Sequence, residues 1–399
     1  MIRRNLILYL VLIFIFALTG NAFADFIYTT ENGTFGVIET TKLSSGDIVI
    51  NLPNTYSGYS DDLFVSSYNN GENPAIILVE HNYSSSVSGD YAFMFNTNNL
   101  SKPFYEGYLA GVRGTSAILS ANNGRSFYVA SRANGALAEF SIVNGYTEEP
   151  RHYYLFPDEN MMLETAVANS YYIYGLYRNA VSTDLQGTLK QFDGQLTEAA
   201  SYISVDVSAY ANDMAMTAFS EIYIGNEHGL DYFRYNSTTQ IISQDEYGSI
   251  NTMCSDESRG IYFISEMTSG DAIYHMDSSR NFEYLYSTAD NSSYYKILYD
   301  NNLKVICAVM GGKIIFIDPY GNLLASYSAN DLGGAVTCLA KISTSGGVTE
   351  NSSSGCNGVL LNSGAILIFI TSLIFLKRKF FDIFMVYNSH KRRGVLKFF

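Results

Sequence analysis

Acidic residues recur in the loops of this sequence at intervals that would place their carboxylates around one opening. The candidates are Asp61, Asp62, Asp158, Glu159, Asp213, Asp290 and Asp331. Carboxylate and carbonyl oxygens are the ligands that hard cations such as Ca2+ prefer, so this collar could hold a cation or another ligand. Asp also populates turns without any ligand, and no loop contains the D-x-D-x-D-G calcium pattern. We therefore expect no resident cofactor, with Ca2+ as the alternative, and leave the metal unassigned.

Catalytic signatures are absent from the sequence. It contains no G-x-S-x-G, H-E-x-x-H, G-x-x-x-x-G-K-[ST] or C-x-x-C motif. His228, within Asn226-Glu227-His228-Gly229, is typical of an exposed turn, because no neighbouring residue would orient it as a general base. We predict no catalytic residue and expect a non-enzymatic protein, with an extracellular enzyme that uses scattered loop acids and tyrosines as the alternative.

Four cysteines occur, and their spacing implies no disulfide framework. Cys254, Cys307 and Cys338 each lie inside an apolar, strand-like run, so we expect buried thiols that pack as small hydrophobic groups. A pair across neighbouring strands is the alternative. The fourth, Cys356, stands apart in a Ser/Gly-rich segment near the C-terminus.

The two ends of the chain carry membrane signals. Arg3 and Arg4 precede an apolar run over residues 6–18 and the small residues Ala22-Phe23-Ala24, a pattern typical of a signal peptide over 1–24, cleaved between Ala24 and Asp25. An uncleaved anchor helix is the alternative. Near the other end, residues 359–376 are uncharged and Lys377-Arg378-Lys379 follow, which predicts a transmembrane helix and a cytoplasmic tail over 377–399.

The segment before that helix forms a linker over residues 344–358 and contains Ser352-Ser353-Ser354-Gly355-Cys356-Asn357-Gly358. The linker, the apolar helix and the basic stop together resemble the Synerg-CTERM family of bacterial C-terminal sorting domains. The resemblance implies that Cys356 is a site of cleavage or lipid attachment. An ordinary thiol above a permanent helix is the alternative, and residues 380–399 extend beyond the point where such tails end.

The net charge restricts the partners of the exported part. Residues 25–350 contain 15 basic residues against 37 of the 38 acidic ones. Because nucleic-acid binding requires clusters of Lys and Arg that neutralise phosphates, we predict that the chain binds no nucleic acid.

A four-part unit recurs between residues 212 and 328. Each part is four to seven residues long, rich in β-branched or aromatic residues and bounded by Gly, Asn, Asp or Ser, which is typical of short antiparallel strands. Weaker copies extend the array towards the N-terminus, and the predicted second strands centre on Ile27, Ile77, Tyr128, Ile173, Tyr223, Tyr262 and Ile306. Four strands per unit at this spacing predict an all-β, seven-bladed β-propeller over residues 25–343, with six or eight blades as alternatives.

Closure of the ring is predicted from the two ends of the array. The first copy has strands at 26–30, 35–41 and 47–52 but lacks the inner strand that should precede them, and residues 335–342 read as an inner strand with nothing after it. Since an open blade would leave an unpaired sheet edge, we predict that 335–342 pairs with 26–30. The turn Asp318-Pro319-Tyr320-Gly321 fits the same pattern, with Asp, Pro and Gly where a type I turn prefers them.

The repeats resemble bacterial surface propellers of the YVTN and WD40-like groups, especially at Ile222-Tyr223-Ile224-Gly225 and at Asp318-Pro319-Tyr320-Gly321. The chain has no Trp and therefore no Trp-Asp dipeptide of a true WD40 repeat. Because propellers host many activities, the fold does not choose among them.

We therefore expect an exported module, anchored in the bacterial cell envelope with the propeller outside the cytoplasm. It would bind an unknown protein, glycan or small ligand on one propeller face, and a structural envelope component is an alternative. Loop tyrosines could stack on sugars or peptide side chains, or merely cover blade edges. The candidates are Tyr56, Tyr59, Tyr146 and Tyr247.

Overall fold

The computed structural model describes residues 24–343, apart from 44, 70–73, 83–88, 98, 122–125, 144–145, 148, 159, 180–186, 198–203, 208–210 and 290–293. The predicted signal peptide before Ala24, the linker, the transmembrane helix and the tail lie outside the described residues, as do Cys356, Glu159 and Asp290. No helix among the residues described is long and apolar enough to cross a membrane.

Seven antiparallel sheets in chain order form the described part of the chain, which confirms the seven-bladed β-propeller. Blade 1 contains β1 (Ala24–Thr30), β2 (Thr34–Lys42), β3 (Ile48–Ile50), β4 (Asn54–Ser57) and β30 (Val336–Ser343). Blade 2 contains β5 (Leu63–Asn69), β6 (Pro74–Glu80), β7 (Gly89–Asn96) and β8 (Tyr105–Ala110). Blade 3 contains β9 (Thr115–Ser120), β10 (Ser126–Ser131), β11 (Ala136–Val143), β12 (Tyr146–Thr147) and β13 (His152–Leu155).

The remaining blades each have four consecutive strands. Blade 4 contains β14 (Met161–Ala168), β15 (Ile173–Asn179), β16 (Gly187–Phe192) and β17 (Ser204–Val207). Blade 5 contains β18 (Ala211–Met216), β19 (Ile222–Asn226), β20 (Gly229–Arg234) and β21 (Ser237–Ser243). Blade 6 contains β22 (Ser249–Ser255), β23 (Ile261–Met267), β24 (Gly270–Met276) and β25 (Phe282–Ser287). Blade 7 contains β26 (Lys296–Asp300), β27 (Val305–Met310), β28 (Lys313–Ile317) and β29 (Leu323–Ser328).

The predicted second strands, from Ile27 in β1 to Ile306 in β27, all lie second from the centre of their blades. They read as continuous apolar runs because each packs against the sheets on both sides, and all six residues of β27 are buried. Outer strands such as β25 are more open to solvent, and Leu285 is the one buried residue of that strand. Ile306 of blade 7, for example, packs in one cluster with Ile264 of blade 6.

Closure of the ring occurs where it was predicted. β30 pairs antiparallel with β1, so that Ala24 lies opposite Ser343 and Ile27 lies opposite Ala340. The Oγ1 atoms of Thr29 and Thr337 are 2.9 Å apart and share a hydrogen bond across the same junction. Innermost strands of neighbouring blades contact one another around the whole ring, including β26 with β30 and β30 with β5.

Connections between strands follow the predicted turn chemistry. In the turn of blade 7, the Gly321 N–H donates to the Asp318 carbonyl over 3.0 Å, and Asp318 Oδ1 accepts from the Tyr320 N–H over 2.9 Å. Gly321 has φ +84°, and a Cβ there would lie 2.1 Å from the Leu285 carbonyl oxygen, so only glycine fits without rearrangement. Two one-turn helices, α1 (Gln244–Tyr247) and α2 (Ala329–Leu332), link outer strands to the next inner strands in the part described.

The thiols of Cys254, Cys307 and Cys338 are buried and free, as expected from the sequence. Because burial disfavours a thiolate, the pKa of Cys307 is raised well above its ordinary value. These cysteines therefore act as small core residues within their strands.

We use the term upper face for the end of the ring at which the innermost strands begin, near Thr115 and Asp213, and lower face for the end at which they finish, near Ser120 and Ser343. β1 starts and β30 finishes on the lower face, since Ala24 and Ser343 are paired. The described chain therefore enters and leaves the propeller from one side.

Shortening a side chain of the closing strand should weaken the whole ring. Leu339 of β30 is fully buried, so Leu339→Ala should lower the free energy of unfolding by about 2 to 5 kcal/mol through lost packing and a residual cavity. The measurement is urea denaturation of the propeller followed by circular dichroism. Leu324→Ala is the matched control, because Leu324 of β29 is 41% exposed and its loss should change stability by less than about 0.5 kcal/mol. Equal effects of the two substitutions would contradict this role of β30.

Candidate functional site

A cavity of about 340 Å3 opens at the upper mouth of the central channel. Its volume lies in the range of about 300 to 1,000 Å3 that is typical of small-molecule sites. All seven innermost strands contribute to its wall, through Phe64, Ser116, Thr165, Asp213, Thr252, Lys296 and Thr337. The cavity therefore exists only because the ring brings the first residues of seven distant strands together.

The predicted acidic collar is only partly assembled there. Asp62 and Asp213 line the cavity. Asp61 is exposed outside it, Asp158 accepts the Asn160 N–H over 2.9 Å within its own turn, and Asp331 accepts the Ser328 N–H at the start of α2 over 2.8 Å. Glu159 and Asp290 are outside the described residues. Among the residues that the structure describes, no three His, Cys, Asp or Glu side chains gather to hold a metal ion.

Asp213 joins blade 5 to blade 6. Its Oδ2 accepts the Thr252 hydroxyl over 2.8 Å and the Met253 N–H over 3.1 Å, and its Oδ1 accepts the Met214 N–H over 2.9 Å. The side chain is only 6% exposed. Buried charge of this kind is tolerated because hydrogen bonds replace the lost hydration.

Two further carboxylates, which the sequence analysis did not single out, join blades in the same way. Asp90 of β7 is fully buried and accepts the N–H groups of Asn82, Gly114 and Thr115 and the hydroxyl of Thr115, over 2.8 to 3.1 Å. Asp271 of β24 accepts the Tyr295 hydroxyl over 3.0 Å, which joins blade 6 to blade 7. Each follows a glycine that begins a third strand, and this Gly-Asp pair is the sequence signal that could have identified them.

His81 lies at the rim of the cavity with both ring nitrogens engaged. Nδ1 is 2.8 Å from Asp62 Oδ1, and Nε2 is 3.1 Å from the Thr115 carbonyl oxygen. Because both partners accept, the ring makes both hydrogen bonds when each nitrogen carries a proton. Both ring nitrogens therefore face acceptor atoms of the protein. His228 lies exposed in its turn, where its N–H donates to Asn226 Oδ1 over 2.8 Å.

Two arginines pair with the carboxylate of Glu164, which lines the cavity. Glu164 lies 3.0 Å from Arg132 Nε and 2.8 Å from Arg178 Nη2, and its side chain is 8% exposed. Arg132 is 53% exposed, and no described residue pairs with its two Nη groups. The rim therefore presents guanidinium donors towards solvent.

Lys296 is the most unusual group in the cavity wall. It is only 8% exposed, and within the described residues its ammonium makes no hydrogen bond or ion pair. Burial raises the pKa of the neighbouring Tyr294 well above its ordinary value. Burial likewise raises the pKa of the Cys338 thiol, an effect that the Lys296 charge partly offsets. Both groups are thus neutral and supply no negative charge to Lys296.

Lys341 provides a contrast at the lower end of the same channel. Its Nζ lies 3.4 Å from Glu257 Oε1, 3.4 Å from Asp300 Oδ2 and 2.9 Å from the Tyr299 carbonyl oxygen. This lysine is 4% exposed and fully compensated by neighbours. The lower end is therefore held by an internal ion network, whereas no described residue forms an ion pair with Lys296 at the upper end.

The tyrosines proposed to stack on ligands mostly cover blade edges. Tyr56 stacks on Phe35 at 4.9 Å between ring centroids, and Tyr59 packs edge-on against the same ring. Tyr247 of α1 packs on Phe282 at 5.1 Å. Tyr146 belongs to β12, and its side chain is not among those that the structure describes.

Comparison with known proteins supports the fold alone. No protein-family model and no curated protein matches the sequence, whereas 386 chains of solved structures match it in fold. A Bacteroides fragilis NCTC 9343 protein provisionally described as a 6-phosphogluconolactonase aligns with TM-score 0.58 and 12% identity, over 81% of this chain and 99% of its own. A Desulfotomaculum acetoxidans DSM 771 protein of unknown function aligns with TM-score 0.54 and 8% identity, over 79% and 98%. The WD40 domain of Toxoplasma gondii coronin aligns with TM-score 0.47 and 8% identity, over 67% and 76%.

Replacing Asp213 should weaken the junction between blades 5 and 6. In Asp213→Asn the amide nitrogen cannot accept the donors that now meet Oδ2, so the free energy of unfolding should fall by about 2 kcal/mol in the absence of calcium. Asp61→Asn is the control from the same predicted collar, because Asp61 is exposed, and its effect should stay below about 0.5 kcal/mol. Urea denaturation with EDTA and with added Ca2+ distinguishes a role in joining the blades from a role in binding calcium. A calcium-dependent gain in stability that both substitutions abolish would instead support a cation collar.

Proposed function

We propose that this chain is an exported, membrane-anchored and non-catalytic binding module, whose propeller holds a small anionic ligand at the upper mouth of its central channel. The observation that carries the proposal is Lys296, a cation that is 8% exposed in the cavity wall and has no partner among the described residues. The ligand would carry a carboxylate or phosphate group. It corresponds to the small-ligand alternative among the partners expected from the sequence.

The Lys296 ammonium reaches the space of the cavity, where an anion would meet it. Transfer of an ammonium group from water into a protein interior costs several kcal/mol unless an acid or hydrogen-bond acceptors compensate it. Lys341 receives that compensation from Glu257 and Asp300. At Lys296 the compensation would come from an anion that enters the cavity.

Arg132 supports the same chemistry from the other side of the opening. Its free Nη groups face the rim, and a guanidinium pairs well with the planar carboxylate or with phosphate oxygens. Lys296 belongs to blade 7 and Arg132 to the loop after β10 in blade 3, so the two cations lie on different sides of the ring. A ligand with two anionic groups, or with one anionic and one polar end, would match this arrangement.

The absence of an available base at the described mouth favours binding over catalysis. Both nitrogens of His81 are engaged, and Asp213 uses its oxygens to join two blades. Tyr294 and Cys338 are held neutral by burial. The groups that remain free are cations, which attract and orient an anion.

Export and anchoring complete the proposal. The described chain ends at Ser343 on the lower face, so a tether that continues from this residue starts opposite the cavity. The signal peptide, the apolar segment at 359–376 and Cys356 are the sequence features that support the envelope location. A module displayed in this way would offer its cavity to solutes outside the cytoplasm.

Removing the Lys296 charge should separate ligand binding from stability. Lys296→Met keeps an unbranched side chain, and the free energy of unfolding of the ligand-free variant should not fall, because no described residue pairs with the ammonium. Citrate and inorganic phosphate should raise the Tm of the unmodified propeller but not that of the variant. Differential scanning fluorimetry and urea denaturation measure the two effects.

Lys313→Met is the matched control for this experiment, because Lys313 lies in the same blade and is exposed. It should leave both the stability and the response to the two anions unchanged. The proposal fails if Lys296→Met destabilises the propeller, which would make the lysine structural. It also fails if both variants respond to the anions equally.

The anchoring mechanism can be tested at Cys356. If Cys356 is the site of cleavage or lipid attachment, Cys356→Ser should leave the chain full length and unmodified in the envelope of the host bacterium. Mass spectrometry of the membrane fraction would detect this change. Identical masses at the C-terminus of both proteins, apart from the substitution, would instead support a permanent single-pass helix.

A further inference from the structure

A second cavity of about 280 Å3 lies on the lower face, between blades 3 and 4. We call it the lower groove and define it by Tyr128, Glu139, Arg151, His152, Tyr171 and Tyr172. It is separate from the upper mouth, since Ser120 at the end of β9 lines the groove whereas Thr115 at the start of β9 lines the mouth. None of the residues predicted from the sequence as a site belongs to it.

A buried carboxylate orients a histidine in this groove. Glu139 is 3% exposed, its Oε1 accepts the Ser126 hydroxyl over 2.5 Å, and its Oε2 lies 2.5 Å from His152 Nδ1. Because the carboxylate accepts, Nδ1 carries a proton, and in the singly protonated ring Nε2 is the acceptor. No described residue engages Nε2, and the His152 side chain is 27% exposed in the groove wall. The arrangement presents a fixed hydrogen-bond acceptor to a ligand.

Two exposed tyrosines form the apolar side of the groove. Tyr171 is 79% exposed and Tyr172 is 39% exposed, with 6.4 Å between their ring centroids. Their backbone N–H groups donate to Asn169 Oδ1 over 2.9 and 2.8 Å, which holds the loop in one conformation. Together the two rings expose an apolar surface at the edge of the groove.

Polar donors complete the wall. Arg151 is exposed beside His152, and its guanidinium makes no ion pair with a described residue. Gln195 is exposed on the blade 4 side. Tyr128 donates its hydroxyl to the Gly194 carbonyl over 2.8 Å, which joins the two blades beneath the groove. The groove thus combines an aromatic surface, a neutral acceptor, an amide and a cation.

We propose that the lower groove binds a saccharide that carries a carboxylate, that is, a uronic acid residue of a polysaccharide. The apolar face of a pyranose ring would pack on Tyr171 and Tyr172, which offer rigid, amphipathic surfaces. A sugar hydroxyl would donate to His152 Nε2, and the carboxylate would pair with Arg151. This site is independent of the anion site proposed for the upper mouth, because no residue lines both cavities.

Because the chain contains no Trp, a Trp introduced by mutation is a specific fluorescent reporter for this site. Tyr171→Trp places a single Trp in the groove, at a position exposed enough to accept the larger ring. Oligogalacturonate should shift and enhance its emission in a saturable manner, whereas neutral galactose oligomers should bind more weakly by about tenfold or more, because they lack the partner of Arg151. Titrations use the whole exported propeller.

Tyr320→Trp is the matched control, since Tyr320 is 84% exposed on the same face in the turn of blade 7. Its emission should not respond to either saccharide. In the Tyr171→Trp protein, Arg151→Met should abolish the preference for oligogalacturonate over the neutral oligomers, and His152→Phe should weaken binding of both. Circular dichroism verifies that each variant keeps the fold of the parent.

Two results would overturn the proposal. One is a folded Tyr171→Trp protein whose emission responds to neither saccharide, together with no binding of oligogalacturonate to the unmodified propeller by calorimetry. The other is binding that persists unchanged in both Arg151→Met and His152→Phe, which would locate the saccharide elsewhere. Loss of the upper anion site in Lys296→Met should leave saccharide binding intact, so the two proposals fail independently.

Discussion

Pairing between the first and last strands of the described chain is the constraint on which the remaining structure depends. β1 and β30 are more than 300 residues apart in sequence, yet they share a continuous antiparallel register from Ala24 opposite Ser343 to Thr29 opposite Cys338. Without this junction, blade 1 would lack its innermost strand and two sheet edges would be unpaired. The junction also completes the wall of the upper cavity, because Thr337 and Cys338 of β30 line it.

Carboxylates play a second structural role inside the ring. Asp90, Asp213 and Asp271 each accept donors from the following blade and thereby fix the angle at which neighbouring sheets meet. A strongly acidic composition therefore does not by itself indicate a cation site, since buried acids are retained by the hydrogen bonds that they accept. The two lysines of the channel differ, because Lys341 is paired with Glu257 and Asp300 whereas Lys296 forms no ion pair with a described residue.

The two faces of the propeller differ in chemistry. The upper mouth places Lys296 and Arg132 in the wall of a cavity shared by all seven blades, which suits the small anion proposed for it. The lower groove lies between only two blades and combines exposed rings with an oriented histidine, which suits a larger ligand lying across the surface. Both ends of the described chain also lie on the lower face.

The amino-acid sequence determined the repeat, the blade number and the closing strand, because strand periodicity, turn residues and the missing inner strand of the first copy are local features. It also indicated buried cysteines and an exposed turn at His228. Only the tertiary structure decided which polar residues meet. Asp61 and Asp62 are adjacent in sequence and both exposed, but only Asp62 lines the upper cavity and contacts His81. Lys296, Arg132, Glu139 and His152 carry no local motif, since their roles arise from contacts and burial between blades that sequence spacing does not encode.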